Sequence, residues 1–234
     1  YMTGFVPNLA KMSIDFDGEP LASFPPKEVR DPSPSIRDDE FFVLAKVETQ
    51  GSNFIQVRAE LNNRSNLPAR ALDQMSFRYI FTLDGDTTID QITVTTPLLP
   101  DTGVLEGPFA VDGKSRTYYI EVSYPEDWIF PMNNYYRRTC RFRINSQGTW
   151  DNSNDFSFQT LASQGENPNL NPNMPVYNED VFLKGLDPTQ MWAGYPFVPE
   201  SKDVDTDGFL GWVNATYAPW IWVYSLDKYC YLDE

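Results

Sequence analysis

Oxygen-bearing side chains are the main chemical resource of this sequence. Its 234 residues include 33 aspartates and glutamates, two cysteines and no histidine. Without histidine, this chain cannot form a Ser-His-Asp or Cys-His triad, nor a His-ligated zinc, haem or facial-triad iron site. The cysteines do not form a CxxC pair, which removes zinc-ribbon and thioredoxin-like sites. Carboxylates remain available for acid–base chemistry or for hard cations.

One short run of carboxylates has the spacing of a metal loop. The segment DVDTDG matches positions 1, 3, 5 and 6 of an EF-hand-type loop with Asp203, Asp205, Asp207 and Gly208. Position 12 falls on Asn214, where a bidentate glutamate is expected, and flanking helices are not evident. Because short DxDxDG matches are common in acidic turns, this second candidate metal loop has an ordinary turn as its alternative.

Charge and hydropathy restrict the partners. The net charge of −15 makes nucleic acid a poor partner, because the surface repels phosphate. No run of about 18 apolar residues occurs, so no helical membrane span is predicted. The chain begins at Tyr1 without a signal segment, and we interpret it as a fragment or a processed product. Whether Cys140 and Cys230 form a disulfide is left open.

Alternating apolar and polar residues predict the elements that position these groups. Four segments alternate with a period of two: 54–62, 75–83, 116–124 and 136–144. Turn signals such as DG and PDTG separate them, and seven or more such strands indicate an all-β sandwich. In the last segment Arg137, Arg141 and Arg143 point outward, and we interpret them as a solvated or ion-paired face rather than a site.

Both ends of the chain differ from this pattern. Phe5, Leu9 and Met12 lie at helical spacing, which predicts a short N-terminal helix, and the proline-rich stretch after it predicts an extended linker. The C-terminal part is aromatic and contains four of the six tryptophans: Trp192, Trp212, Trp220 and Trp222.

Several separated motifs resemble the family 3 carbohydrate-binding modules. They are LNNRSNLPARALDQMSFRYIFTLDG at 61–85, GTWDNSNDFSFQ at 148–159, EFFVLAKVETQGSNF at 40–54 and PVYNEDVFLKG at 175–185. The resemblance is closest to subgroup c, whose members are fused behind the catalytic domain of family 9 cellulases. At the N-terminus, YMTGFVPNLAKM is similar to the last helix of a family 9 barrel, and EPLASFPP is similar to the linker that follows it.

The resemblance implies a fold and a division of the chain. The expected fold is a nine-stranded jelly-roll β-sandwich with a short N-terminal helix and linker and an aromatic C-terminal extension. The expected segments are a catalytic-domain helix remnant at 1–17, a proline-rich linker at 18–37, the family 3c module at 38–190 and an extension of unknown role at 191–234.

The resemblance also implies a role. We expect a non-catalytic module of a secreted, bacterial endoglucanase that stabilises the catalytic domain and guides a single glucan chain. Its partners would be cellulose or another β-glucan and a family 9 catalytic domain, in the same chain or a separate one. The catalytic Asp and Glu of such enzymes would lie upstream of Tyr1, so no catalytic residue is assigned here and hydrolysis by this chain alone is not expected.

Members of the family carry a structural Ca²⁺, and the matching positions name its ligands here. By the resemblance these are Thr82, Asp84, Asp151, Asn154 and Asp155, with Asp151 contributing its backbone carbonyl. Ca²⁺ takes six to eight hard oxygen ligands, and carboxylates, an amide, a hydroxyl and carbonyls supply them. The ion would join a turn to a distant segment and so stabilise the sandwich. The alternative is an ordinary turn and an ordinary strand start.

Modules of this family that bind crystalline cellulose have a flat strip with a His and a Trp. This chain has no His, and Trp150 is displaced by three residues, so the resemblance implies the shallow polar groove of subgroup c instead. Candidate groove residues are Asn62, Asn63, Arg64, Arg70, Arg78 and Tyr79. Arg78 and Tyr79 are strand neighbours that point in opposite directions, so at most one faces the groove. The alternative is that this segment is a structural loop.

Two other function classes stay open. The sandwich could serve a structural, self-assembling extracellular protein whose aromatic C-terminal extension mediates subunit contacts. For that extension, we favour packing against the protein over a sugar-binding platform. An enzyme built on a carboxylate pair is the third class, but no spacing singles out such a pair.

Overall fold

The computed structural model describes residues 15–16, 19–20, 40–63, 70–111, 114–129, 137–193, 195–198 and 201–232. The chain divides into two compact units, Tyr1–Arg37 and Asp38–Glu234. In the first unit, β1 (Asp15–Phe16) and β2 (Glu19–Pro20) form an antiparallel pair. The rest of the predicted helix and linker lies outside the described residues.

The first main sheet is formed by five antiparallel strands. They are β3 (Phe41–Gly51), β4 (Phe54–Asn63), β7 (Ile92–Leu98), β11 (Arg137–Ser146) and β12 (Asn169–Leu170). Their order across the sheet is β12–β3–β4–β11–β7. We call this sheet one.

The second main sheet also has five antiparallel strands. They are β6 (Met75–Thr82), β8 (Val104–Ala110), β9 (Thr117–Ser123), β13 (Val176–Asn178) and β14 (Val181–Lys184). Their order is β14–β13–β6–β9–β8. We call this sheet two, and the chain passes back and forth between the two sheets.

The inward faces of the two sheets form one core. The alternation predicted for β11, for the first half of β4 and for the end of β9 is confirmed, because the apolar positions there are buried and the residues between them are more exposed. In the second half of β4 the alternation ends, because Glu60 and Asn62 are buried as well. Tyr79 of β6 packs edge-on against Phe142 of β11, with ring centroids 5.3 Å apart, which joins sheet two to sheet one. The mostly-β sandwich is therefore confirmed. The prediction of nine strands does not match these two five-stranded sheets, which include short edge strands such as β12.

Short elements connect the sheets. β5 (Arg70–Ala71) pairs with β10 (Trp128–Ile129), and β15 (Met191–Trp192) pairs with β16 (Tyr195–Pro196). The described 3-10 helices are Ile89–Gln91, Asn152–Asn154, Phe158–Thr160 and Pro188–Gln190. Within the described ranges, no helix has the length and apolar character needed to cross a bilayer.

A four-stranded antiparallel sheet ends the chain. Its strands are β17 (Asp203–Asp205), β18 (Trp212–Tyr217), β19 (Trp220–Val223) and β20 (Lys228–Tyr231), in that spatial order. Cys230 on β20 and Cys140 on β11 are both free thiols, and burial raises the pKa of Cys140 to about 12.

Candidate functional site

The structure brings the five predicted calcium ligands together where β6 ends beside the 3-10 helix Asn152–Asn154. The backbone N–H of Thr82 donates to Asp155 Oδ1 at 2.8 Å. Asp84 accepts hydrogen bonds from the Asn154 amide and from the Asp151 backbone N–H, each at 2.7 Å. Two segments about 70 residues apart in the sequence are thus joined by polar contacts.

Negative charge collects at this junction. Burial, followed by the nearby charges of Asp84 and Asp151, raises the pKa of the Asp155 carboxyl to about 8. Hydrogen bonds from the Thr82 backbone and from the Trp150 indole N–H, the latter at 3.1 Å, oppose that rise. A cation held between these carboxylates would lower the cost of keeping Asp155 charged, because it neutralises its neighbours' repulsion.

The donor types suit calcium, although the arrangement is not a cluster of acids alone. All five residues offer oxygen, which is the ligand that Ca²⁺ takes in proteins. In the described part of the chain, no three Asp, Glu, Cys or His side chains are grouped so as to hold a metal by themselves. Amide, hydroxyl and carbonyl oxygens would therefore be needed. Asn154 points its amide nitrogen at Asp84, so its oxygen would have to turn toward an ion.

Arg116 organises the turn that carries Asp84, and the sequence reasoning missed it. Its guanidinium donates to the carbonyl oxygens of Leu83, Gly85 and Thr87 at 3.1, 2.6 and 3.1 Å. Its own φ of 58° lies in the left-handed region, which is uncommon for a residue other than glycine. The sequence gives no signal for this contact, because the turn and Arg116 lie about 30 residues apart.

The candidate groove residues are not on one surface. Asn62 and Asn63 end β4 in sheet one, Arg70 is on β5, and all three are buried. Arg70 is occupied by a buried ion pair with Glu40, in which its Nη2 lies 2.8 Å from Oε2. Arg64 lies outside the described residues.

Tyr79 is removed from the candidates for contact with a sugar ring. It is fully buried in the sandwich core, and the alternation of β6 turns it inward while it turns Arg78 outward. The expectation that at most one of this pair faces outward therefore holds, and that residue is Arg78.

Arg78 is the centre of a cluster on the outer face of sheet two, which we call the Arg78 cluster. Its guanidinium carbon lies 4.4 Å from the ring centroid of Tyr119 and 3.9 Å from that of Tyr177. The same guanidinium forms ion pairs with Glu121 and, at 2.8 Å, with Asp180. Tyr119, Glu121, Tyr177 and Asp180 were missed, because their closeness follows from strand pairing across β13, β6 and β9.

The outward arginines of sheet one form contacts within the sheet. Arg137 pairs with Glu60 at 3.0 Å and Arg141 pairs with Glu48 at 2.8 Å. Arg143 lies over the ring of Phe54, 3.6 Å from its centroid. This face is ion-paired, as the sequence reasoning favoured.

The candidate metal loop at 203–208 is part of a β-hairpin. Asp203 and Asp205 lie on β17, and Asn214, at position 12, is the strand partner of Asp203. The Asp203 carboxylate accepts hydrogen bonds from Asn214 Nδ2 at 2.8 Å and from the Tyr224 hydroxyl at 3.0 Å. Asp205 Oδ1 accepts from the backbone N–H of Asp207 at 3.0 Å. These bonds suit an acidic turn, and metal binding here stays a prediction.

Comparison with known proteins gives a family for the sandwich. The family model described as "Cellulose binding domain" matches residues 42–185. The chain is 35% identical over 201 residues to Endoglucanase A of Bacillus pumilus, an alignment that covers 80% of this chain and 28% of that one. The chain thus spans just over a quarter of the length of this curated relative.

Solved structures agree with this result. Endoglucanase CelQ from Clostridium thermocellum, complexed with cellobiose and cellotriose, superposes with a TM-score of 0.58 at 32% identity. The match covers 74% of this chain and 28% of that one. A scaffoldin carbohydrate-binding module of family 3b from Bacteroides cellulosolvens has a TM-score of 0.51 at 19% identity, covering 66% of this chain and 100% of the module, and shows the shared fold.

Proposed function

Because this chain belongs to the cellulose-binding domains, the family 3 carbohydrate-binding modules, we propose that it binds a single β-glucan chain as an accessory module of an endoglucanase. The observation that carries this proposal is the Arg78 cluster on the outer face of sheet two. There a guanidinium, two carboxylates and the phenol of Tyr119 offer hydrogen-bond donors and acceptors to the hydroxyl groups of a sugar chain, and the buried Tyr177 packs against the guanidinium.

The chemistry of the cluster suits one glucan chain better than a flat crystal face. The faces of Tyr119 and Tyr177 are turned to Arg78, and Tyr177 is buried with its hydroxyl bonded to Asp187 at 2.7 Å. The surface is therefore polar rather than a strip of exposed rings. Trp150 is buried as well, with its indole N–H directed at Asp155, so it does not supply a flat ring. Both features support membership of subgroup c.

The relatives support the wider setting. We propose that the module works beside a family 9 catalytic domain, in the same chain or a separate one, in a secreted bacterial cellulase. The supporting facts are that the relatives are endoglucanases and that this chain aligns with 28% of the first of them. The module itself would be non-catalytic, and its contribution would be to position the glucan and to stabilise the catalytic domain.

We propose Ca²⁺ as the ion of the junction formed by Thr82, Asp84, Asp151, Asn154 and Asp155. Its support is the convergence of oxygen donors from two distant segments around the buried Asp155. When bound, the ion would supply a structural cross-link and no catalytic chemistry. Asp84 and Asp155 would hold it with their carboxylates, and Arg116 would keep the turn around Asp84 in place.

Adsorption to two forms of cellulose tests the glucan proposal. Amorphous and microcrystalline cellulose are incubated with the purified chain and with the variants Arg78→Ala and Arg141→Ala, and the unbound protein is measured. We expect stronger retention on the amorphous form. Loss of the Arg78 hydrogen bonds should weaken that retention roughly tenfold, since a bond to a charged group is worth about 1.5–3 kcal/mol.

Arg141→Ala is the matched control, because it removes an ion-paired arginine from the outer face of the other sheet. Circular dichroism of both variants checks that they are folded. Equal retention of Arg78→Ala and the unchanged chain would refute the assignment of the Arg78 cluster. Stronger retention on microcrystalline than on amorphous cellulose would refute the single-chain mode.

A further inference from the structure

The C-terminal sheet has its own core on one side only. Val204, Val213, Ala215, Ile221 and Val223 are buried together, and they alternate with residues that point the other way. This sheet lies after residue 185, where the family match ends. The function proposed for the sandwich therefore assigns no role to the side of the C-terminal sheet that faces away from this core.

That opposite side is covered with aromatic rings, and we call it the aromatic face. Its members are Trp212, Trp220, Trp222, Tyr224, Tyr229 and Tyr231. Strand pairing sets Trp220 opposite Tyr231 and Trp222 opposite Tyr229, with ring centroids 5.1 and 5.0 Å apart. Five of the six, all but Trp222, are between 49% and 54% exposed. These rings are therefore presented to solvent, contrary to the packing against the protein that the sequence favours.

The aromatic face also contains a shallow, open pocket with polar groups at its edge. Its volume is about 350 Å³, and it is lined by Asn214, Trp222, Tyr224 and Tyr229. Asp203 holds two of these lining residues, because its carboxylate accepts from Asn214 Nδ2 at 2.8 Å and from the Tyr224 hydroxyl at 3.0 Å. Asp203 is thus a positioning residue that fixes an amide and a phenol beside two more rings.

We propose that the aromatic face is a second glycan-binding site, which takes an uncharged chain of pyranose units. A pyranose has an apolar face of C–H groups and a rim of hydroxyls. The aromatic rings can stack on the apolar face, and the Asn214 amide and Tyr224 hydroxyl can form hydrogen bonds with the hydroxyl groups. Trp220 and Trp222 lie two residues apart on one strand, which places them about 7 Å apart along it. A sugar chain that runs along this strand therefore meets both rings in succession.

Negative charge near the aromatic face disfavours anionic partners and a second copy of the chain. Asp203 and Asp205 lie on the same side of the sheet as the rings, and the whole chain carries a net charge of −15. Anionic polymers and anionic lipid surfaces would be repelled. A second copy of the chain placed against this face would bring the same carboxylates toward each other, which also disfavours self-association. This inference stands on the C-terminal sheet and does not rest on the function proposed for the Arg78 cluster.

Calorimetric titration of the full chain with cellohexaose, xylohexaose and mannohexaose tests the proposal. We expect at least one of these sugars to bind, and Trp222→Ala and Tyr229→Ala each to raise its Kd about tenfold, which corresponds to about 1.4 kcal/mol. Trp222→Phe keeps a ring at the pocket and should retain most of the affinity. Trp128→Ala is the matched control, because Trp128 is 50% exposed and lies on β10, outside this sheet.

The outcomes separate this site from the Arg78 cluster. Loss of binding in Trp222→Ala but not in Arg78→Ala supports the second site and counts against the first. Loss in Arg78→Ala with no change in Trp222→Ala or Tyr229→Ala would overturn the second site, as would binding of none of the three sugars. If the chain sediments as a dimer and Trp222→Ala sediments as a monomer, the second site is also overturned, and the aromatic face is an interface between copies.

Discussion

Asp127 is held as a carboxylate by Arg138. The guanidinium contacts both carboxylate oxygens, with Nη2 at 2.7 Å from Oδ1, and the hydroxyl of Thr102 donates to Oδ2 at 2.9 Å. Hydrogen bonding from Arg138, more than any other contact, lowers the pKa of Asp127 to about 2. The pKa of an aspartate in an unfolded chain is about 3.9, so the folded state favours the ionised form of Asp127.

We expect the stability contributed by this pair to depend on acid. Because the pKa is lower in the folded state, the contribution is complete above about pH 4 and is lost as the pH falls toward 2. Asp127→Asn should reduce the free energy of unfolding by about 1 kcal/mol at neutral pH, a value discounted because the pair is partly exposed. Thermal melting of both proteins between pH 2 and pH 7 measures the difference.

An exposed carboxylate in a nearby turn serves as the control for this measurement. Asp101→Asn removes one negative charge from a residue for which no ion pair is found in the described part of the chain. A constant difference between Asp127→Asn and the unchanged chain down to pH 2 would contradict the assignment, as would an equal loss in Asp101→Asn.

Among whole elements, the contact between the end of β6 and the 3-10 helix Asn152–Asn154 links distant parts of the chain. Bonds from Asn154 and Asp151 to Asp84 span about 70 residues of sequence. A ligand that binds only the folded chain stabilises it by an amount set by its concentration relative to its Kd. A calcium ion at this junction should therefore act on the stability of the whole sandwich.

Removal of calcium should lower the melting temperature. In calcium chloride at about 100 times its Kd, the ion would contribute about 2.7 kcal/mol, or roughly 5–10 °C for a chain of this size, relative to the same protein in a chelator. Differential scanning calorimetry measures the shift. Asp84→Asn should abolish most of it, whereas the exposed Asp86→Asn in the same turn should keep it. Equal melting temperatures with and without calcium would refute the proposal that Ca²⁺ binds at this junction.

The elements show which inferences a sequence can carry. The period-two alternation of β4 and β11 determines which side chains face the core, so the burial of Ile55 and Phe142 could be predicted locally. The same rule places Tyr79 in the core, although its phenol suggested sugar contact. Pairing between distant strands could not be predicted in this way. The partners of Arg78 come from β9 and β13 and from the turn after β13, and register across a sheet is set by tertiary packing.

In the whole molecule, two candidate binding surfaces differ in position and in chemistry. The Arg78 cluster lies on the sandwich that the family match covers and is rich in ion pairs. The aromatic face lies on the C-terminal sheet and is rich in exposed rings. The outer face of sheet one also has ion-paired arginines, which are engaged by Glu48 and Glu60. The feature that distinguishes sheet two is the pair of tyrosine rings, Tyr119 and Tyr177, beside Arg78, and we expect glucan binding there.

Amide NMR spectra of the full chain during titration with cellohexaose show which sheet of the sandwich contacts the glucan. We expect shifts in the sandwich to concentrate on β6, β9 and β13 around Arg78, and the outer residues of β4 and β11 to stay unchanged. A separate set of shifts on β18–β20 would belong to the aromatic face and would not replace the first. Shifts centred on Arg141 in sheet one, or no shifts anywhere in the sandwich, would rule out glucan binding at the Arg78 cluster.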